Sequence, residues 1–346
     1  MRTKKHWLKN SLLISTFILV SSVSFYSCSE TITPVVAIDQ QYDWSTKTIP
    51  VDNIRQTSSA DANNFFVINE LNGYRVSEGV TSQIDFQDPV FTVFSHEALS
   101  KDYAVFTGYR AYGENATLIK IYDNGVIRPY EMPAYKGDFL TRQIYIIGKD
   151  NFLITHEHYP VIFHFQNGNI TQYTIPDDVE LETIGKANGN IYIFSRMEFT
   201  GESFVYKFTG SGFTKVPVAL SSYWPVFNVN DNFIRIIQSP NYWYFSYFTE
   251  ESGWKYLTTY NPGSDHEPAV YLTGSSANNF TVISYNEQTQ NLNATSYNSL
   301  GFYKQTNFPA LQQGNFPPWR TKSEYKNNTL LYCFNTNGGI LIGKEK

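Results

Sequence analysis

The sequence predicts an all-β chain: seven four-stranded antiparallel blades around one axis, closed by the chain's own N-terminal strand. Three observations carry this expectation. A polar turn running into a strand, first met as Ala62-Asn63-Asn64-Phe65-Phe66-Val67-Ile68, returns around Asn151, Asn190, Asn232, Asn279 and Asn328, with a weaker copy at Asp102. From Asn64 to Asn328 the steps are 38, 49, 39, 42, 47 and 49 residues, averaging 44, the length of a propeller blade built from short strands. After residue 30 no window long enough for a stable helix shows clean 3.6-residue spacing, and the runs are β-branched and aromatic.

The turn is justified by its residues. Asn, Asp and Gly tolerate left-handed backbone angles and bond their own main chain, so Ala187-Asn188-Gly189-Asn190 is a place where the chain reverses cheaply. In the third copy an inner strand is expected over 142–147, a second over 151–155, a third over 161–166 and an outer one over 169–175. Asn167-Gly168 joins the last two as a two-residue hairpin turn, and Asn124-Gly125 does the same in the second copy. Outer strands run to a recurring proline at Pro133, Pro176, Pro217, Pro262 and Pro309, as suits a residue with no ladder donor at a rim. The last copy lacks an outer strand before Lys346, while 42–50 reads like one, so the N-terminal strand is expected to complete the C-terminal blade.

The chain of 346 residues is 42% hydrophobic and 17% aromatic, which supplies rings to fill the wedges between twisted blades. Its formal net charge of -5, with 16% charged residues, offers no basic stripe to displace counterions, and this excludes a nucleic-acid partner.

Residues 1–27 have the form of an export signal: Arg2, Lys4, Lys5 and Lys9, then an apolar run too short to span a bilayer, ending at Phe25-Tyr26-Ser27-Cys28. This resembles a bacterial lipoprotein signal, which implies lipidation of Cys28 after cleavage; Phe25 and Tyr26 depart from the usual pattern. Residues 28–41 are then a lipidated tether and 42–346 the propeller domain. Ser29-Glu30 resembles the acidic signals that send some Gram-negative lipoproteins to the outer face of the outer membrane, so the expected address is the cell envelope, periplasmic or surface-exposed. With Cys28 lipidated, Cys333 is a free thiol in an apolar strand and no intrachain disulfide forms.

Chemistry is expected where connections vary in length, from second to third strand and from blade to blade, because function favours variable loops on a rigid scaffold. Those connections hold Tyr109, Tyr112, Tyr135, Tyr159, Tyr223, Trp224, Tyr242, Trp243 and Trp319, among charged or titratable residues including Arg110, Arg142, Glu157, Arg196, His266 and Arg320. Flat rings beside such groups suit a pyranose, apolar on its face and hydroxylated at its rim. The ligand-binding set is Tyr109, Tyr112, Arg142, Glu157, Tyr159, Arg196, Tyr223, Trp224, Tyr242, Trp243, His266 and Trp319, and the expected partner of this monomer is a glycan or an envelope protein.

The alternative is a glycan-degrading enzyme, a glycoside hydrolase or lyase, using paired loop carboxylates. No cofactor is implied, since phosphate-loop, nucleophile-elbow and His-Glu-x-x-His patterns are all absent. His156-Glu157-His158 is the one metal-like spacing, and the acidic run 177–182 reads as a solvated turn. The repeats are broadly similar to kelch and sialidase-type repeats in having a polar turn, an aromatic strand and a hairpin glycine. They lack the paired glycines of the former, and Thr249-Glu250-Glu251-Ser252-Gly253-Trp254 lacks the Asp of the latter's Asp-box. The resemblance spans 42–346 as architecture and carries no catalytic residue across.

Overall fold

The computed structural model describes residues 42–69, 71–110, 117–133, 141–156, 158–176, 179–197, 200–218, 225–239, 241–262, 269–286, 288–312, 324–326, 329–333 and 338–345. They form seven antiparallel sheets. Blade one is Gln56–Ser59, Asn64–Ile68, Gly73–Ser77 and Val80–Gln83; blade two is Phe91–Ser100, Tyr103–Arg110, Thr117–Asp123 and Val126–Glu131. Blade three, Thr141–Gly148, Asn151–His156, Val161–Gln166 and Asn169–Thr174, matches its expected strands to within about a residue at each end. Blade four is Glu180–Ala187, Asn190–Arg196, Ser203–Phe208 and Phe213–Lys215, and blade five is Val226–Val229, Asn232–Gln238, Trp243–Thr249 and Gly253–Tyr260. Blade six, Ala269–Ser276, Asn279–Asn286, Asn291–Asn298 and Gly301–Lys304, carries an unanticipated extra strand, Leu311–Gln312, on its third strand. Blade seven runs Glu324–Lys326, Thr329–Cys333 and Gly339–Glu345, with Tyr42–Thr48 outermost.

Every inner strand lies against the inner strands of both flanking blades, Glu324–Lys326 touching both Ala269–Ser276 and Gln56–Ser59, so the blades make a closed ring. The core is divided in the same way. Buried apolar side chains fall into seven clusters, one at each junction between neighbouring blades. Between blades four and five, for example, Phe194 packs against Phe233 and Phe248, with ring centroids 4.6 and 5.1 Å apart. Two inner strands are also clamped by glutamine amides that imitate a neighbouring backbone. Gln56 donates from Nε2 to the His96 carbonyl at 2.6 Å and accepts from the His96 N–H at 3.4 Å. Gln143 repeats this on Ile184 at 3.3 and 3.1 Å.

The turns that announced the repeats have a second use. Asn124-Gly125, Asn167-Gly168 and Asn188-Gly189 have positive φ at both central residues, the two-residue hairpin geometry. Several acids on this face are held by a neighbouring blade: Arg75 meets Asp102 at 2.9 Å, Arg128 meets Asp150 at 2.7 Å and Lys207 meets Glu250 at 2.8 Å. Hydrogen bonds from Lys207 and Tyr192 hold the Glu250 carboxyl below its usual range, and Lys149 does the same for Asp123. Their stabilising contribution is therefore present above the ordinary carboxylate range and is lost as pH falls through the depressed values.

Closure follows the expected route. Tyr42–Thr48 pairs antiparallel with Gly339–Glu345, from Tyr42 opposite Glu345 to Thr48 opposite Gly339. Tyr42 is fully buried, its backbone carbonyl accepts from Asn307 Nδ2 at 2.8 Å, and Trp44 packs between Tyr42 and Phe308 with both ring centroids 5.0 Å away. Gly343 leaves room for that indole, because a Cβ there would sit 2.6 Å from it. Deleting residues 42–48 should lower the unfolding free energy by several kcal/mol, at about 1 kcal/mol per lost ladder bond plus lost burial. Urea denaturation checks this, and an unchanged midpoint would contradict the closure.

Candidate ligand-binding face

Strand direction sorts the connections onto two faces of the ring. Among the described residues, the turns from first to second and from third to fourth strands lie on one face and are short; the strand ends Arg110, Glu131, Thr141, Arg196, Lys215, Val226, Tyr260, Ala269 and Lys304 lie on the other, where the sequence separation to the next strand varies. Inner strands begin on this second face, so their first residues surround the mouth of the central channel.

A charged group is built there from three strand ends. Arg196 closes the second strand of blade four, and Glu180 and Glu182 open its first strand. The Arg196 guanidinium meets Glu180 Oε2 at 2.9 Å and Glu182 Oε1 at 3.4 Å. Arg142, near the start of the inner strand of blade three, is exposed and donates from Nε to the Glu182 carbonyl at 3.2 Å. Burial pushes the Glu182 carboxyl up, against the pull of Arg196 and Arg142. Two arginines and two carboxylates thus meet beside the mouth, with Arg142 projecting furthest into solvent. A second ion pair lies on the same face of blade two, where Asp88 takes Arg110 at 3.0 Å and the nearly buried Lys120 at 3.6 Å.

The expected site residues do not stay together. Arg142 and Arg196 come together as described. Tyr242 is exposed, seated in a turn in which the Ser239 N–H donates to the Tyr242 carbonyl at 2.9 Å. Tyr109 stacks on Phe94 at 4.9 Å, and Tyr159 packs edge-on to His156 at 4.8 Å, both half-buried against their own blades. Trp243 corrects its assignment: it is buried between blades five and six against Tyr260, at 5.3 Å, because its neighbours in the strand alternate faces and its own face points at blade six. Cys28, Tyr112, Glu157, Tyr223, Trp224, His266 and Trp319 lie outside the described residues.

The histidine pair is likewise absorbed. His156 is buried and its Nδ1 accepts from the His158 N–H at 3.0 Å, with the rings 6.4 Å apart. Among the described residues no group of three or more His, Cys, Asp or Glu is gathered as metal ligands. Glu180 and Glu182, read as part of a solvated acidic turn, instead open a strand. The Glu-Leu-Glu alternation, with Leu181 buried in the core between blades three and four, is the signal that could have shown this.

No protein-family model matches the chain, and no curated protein matches it. Solved structures do. YCF48 bound to D1 peptide is 10% identical with TM-score 0.59, covering 88% of this chain and 97% of that one. The β-propeller domain of Cps50 (Swd1) from Myceliophteria thermophila is 10% identical with TM-score 0.60, covering 86% and 99%. Virginiamycin B lyase from Staphylococcus aureus, in a catalytically inactive form with quinupristin, is 12% identical with TM-score 0.59, covering 88% and 100%. The likeness is one of fold: this chain is a seven-bladed β-propeller, an architecture shared by a peptide-bound protein and an enzyme alike.

Removing the Arg196 guanidinium tests the electrostatics of the mouth. In Arg196→Ala the Glu182 carboxyl should titrate still higher than in the unmodified chain. Because a raised carboxyl disfavours the charged form, the variant should lose more stability above the carboxylate range than below it. Carboxyl carbon NMR titration checks the direction; a downward or absent shift would show that Arg196 does not govern this group.

Proposed function

We propose that this chain is a lipid-anchored propeller of the cell envelope that binds a partner protein on its loop-rich face, around the mouth of the channel. The observation that carries the reading is the division of labour between faces. The turn-face acids Asp102, Asp150 and Glu250 are committed to ties with a neighbouring blade, whereas Arg142 stands exposed at the start of an inner strand. An arginine beside two carboxylates offers both signs of charge to a polypeptide, whose backbone and side chains supply partners for each. YCF48, a propeller of the same architecture, is bound to a peptide. Cys28 and the tether to residue 41 would hold the ring at the membrane.

A glycan is the second reading, favoured by the exposed Tyr242. The enzyme reading has less support at this site: Glu180 and Glu182 share the one Arg196, which suits an ion-pair cluster better than a free acid and base.

Two measurements test the proposal. Cys28→Ala should abolish palmitate labelling and release the protein from the membrane fraction of cells expressing it. A photo-crosslinking amino acid at position 142 should capture a discrete partner that the same group at position 169, exposed on the turn face, does not. Equal capture from both faces would overturn the choice of surface.

A further inference from the structure

We infer that blade five carries a second binding site, separate from the channel mouth, for a neutral oligosaccharide. The site is a platform of Tyr242, Tyr244 and Tyr256. These are 41%, 38% and 67% exposed, and they account for three of the eight large hydrophobic side chains that stand exposed among the described residues. The other five lie scattered through other blades and turns.

The sheet register places the three rings on one surface. Tyr244 lies opposite Thr259 and Ser246 opposite Tyr256, with a bulge between Phe245 and Ser246 that brings Tyr256 into line. Residues directly opposite across an antiparallel pair share a face, and alternate residues along a strand do too, so Tyr242, Tyr244, Ser246, Tyr256 and Thr259 face the same way. That way is toward blade four, since Phe248 and Trp254 of this face pack against Phe194. Blade four does not cover it fully. Its outer strand, Phe213–Lys215, has three residues against eight in Gly253–Tyr260, and beyond it Val216 and Val218 pack into the inter-blade core. Among the described residues, the truncated neighbour does not reach the outer part of the blade-five face, where the three tyrosines stand exposed.

The chemistry of this surface selects its ligand. The Tyr242 and Tyr244 rings are 6.1 Å apart and tilted by 43°, a spacing that lets successive pyranose faces each meet a ring. Tyr256 is fixed without packing, through a 2.9 Å hydrogen bond between its hydroxyl and Thr259 Oγ1. Phenol and Thr hydroxyls border the rings, Ser246 between them is buried, and among the described residues of this face no aliphatic side chain stands exposed. Among the described residues, Arg235 on this face is buried with its guanidinium 4.8 Å from the Trp254 ring and the Lys207–Glu250 pair sits at the turn end, so the platform itself presents no exposed ionised head group. A polyanionic glycan would find no counter-charge here, and a protein would find no aliphatic anchor. Uncharged sugar, with apolar ring faces and hydroxyl rims, complements both properties.

The test uses the full soluble ring, residues 42–346, with maltoheptaose, xylohexaose, mannohexaose and cellohexaose as neutral probes and a polygalacturonate oligomer as the charged one. Calorimetric titration should find at least one neutral probe bound and the charged probe unbound. Tyr244→Ala and Tyr256→Ala should each weaken binding about tenfold, as loss of a ring anchor does. Tyr244→Phe should keep most of it, and Arg142→Ala should change nothing. Unchanged circular dichroism of the variants would show that the ring stays folded. Failure of all four neutral probes, retained affinity in both alanine variants, or loss only in Arg142→Ala would overturn the platform. None of these outcomes touches protein binding at the channel mouth. Equal binding of the charged oligomer would overturn the selectivity for neutral sugar.

Discussion

A radial blade has two faces, and neither can be left to water. Each of the seven sheets presents buried side chains on both sides, and each buried cluster is built from two neighbouring blades. No blade therefore contains a core of its own. The stability of any one depends on the next, and the dependence ends only where blade seven meets blade one through Leu331, Ile340 and Ile342 against Phe65 and Val67. That junction in turn rests on Gly339–Glu345, the strand covered on its outer side by Tyr42–Thr48. Ring closure is the constraint from which the rest of the architecture follows.

The same constraint divides the surface. Blades packed only through apolar wedges could slide along one another, and the glutamine clamps of Gln56 and Gln143 together with the turn-face ion pairs set their register. The ion pairs use the short turns, where geometry is most uniform, and the glutamines grip the opposite ends of inner strands. The opposite face carries the connections of varied length, whose ends, such as Met132, Val216 and Val218, are still anchored in the blade junctions. Arg142, Arg196, Glu180 and Glu182 sit at the border, on strand ends that the scaffold holds firmly but whose heads reach the mouth.

Repetition made the fold legible in the sequence, since the same turn chemistry was written into it seven times and Asn-Gly pairs fixed hairpins locally. Blade three could be drawn strand by strand, and the closing strand could be placed by its missing counterpart. The binding face was less legible, for physical reasons. Trp243 looked like a loop residue because its loop begins just before it, yet strand alternation turns it into the core. Tyr244 and Tyr256 lie inside strands and were not among the expected site residues, because their exposure goes with the short outer strand of blade four. Exposure in a ring is a property of the neighbour, which no local pattern reports. Glu180 and Glu182 were hidden in an acidic run whose alternation mattered more than its charge.

The most direct test of this account moves the closing strand rather than removing it. Tyr42 lies opposite Glu345, as Asn169 lies opposite Gln166 across the Asn167-Gly168 turn, so a two-residue Asn-Gly link from Glu345 to Tyr42 would give blade seven an ordinary hairpin. A chain running from residue 49 to residue 345, then Asn-Gly, then residues 42–48, should show the same urea midpoint and circular dichroism as the chain from residue 42. Loss of stability comparable to deleting the strand would contradict the claim that Tyr42–Thr48 closes the ring as the outer strand of blade seven.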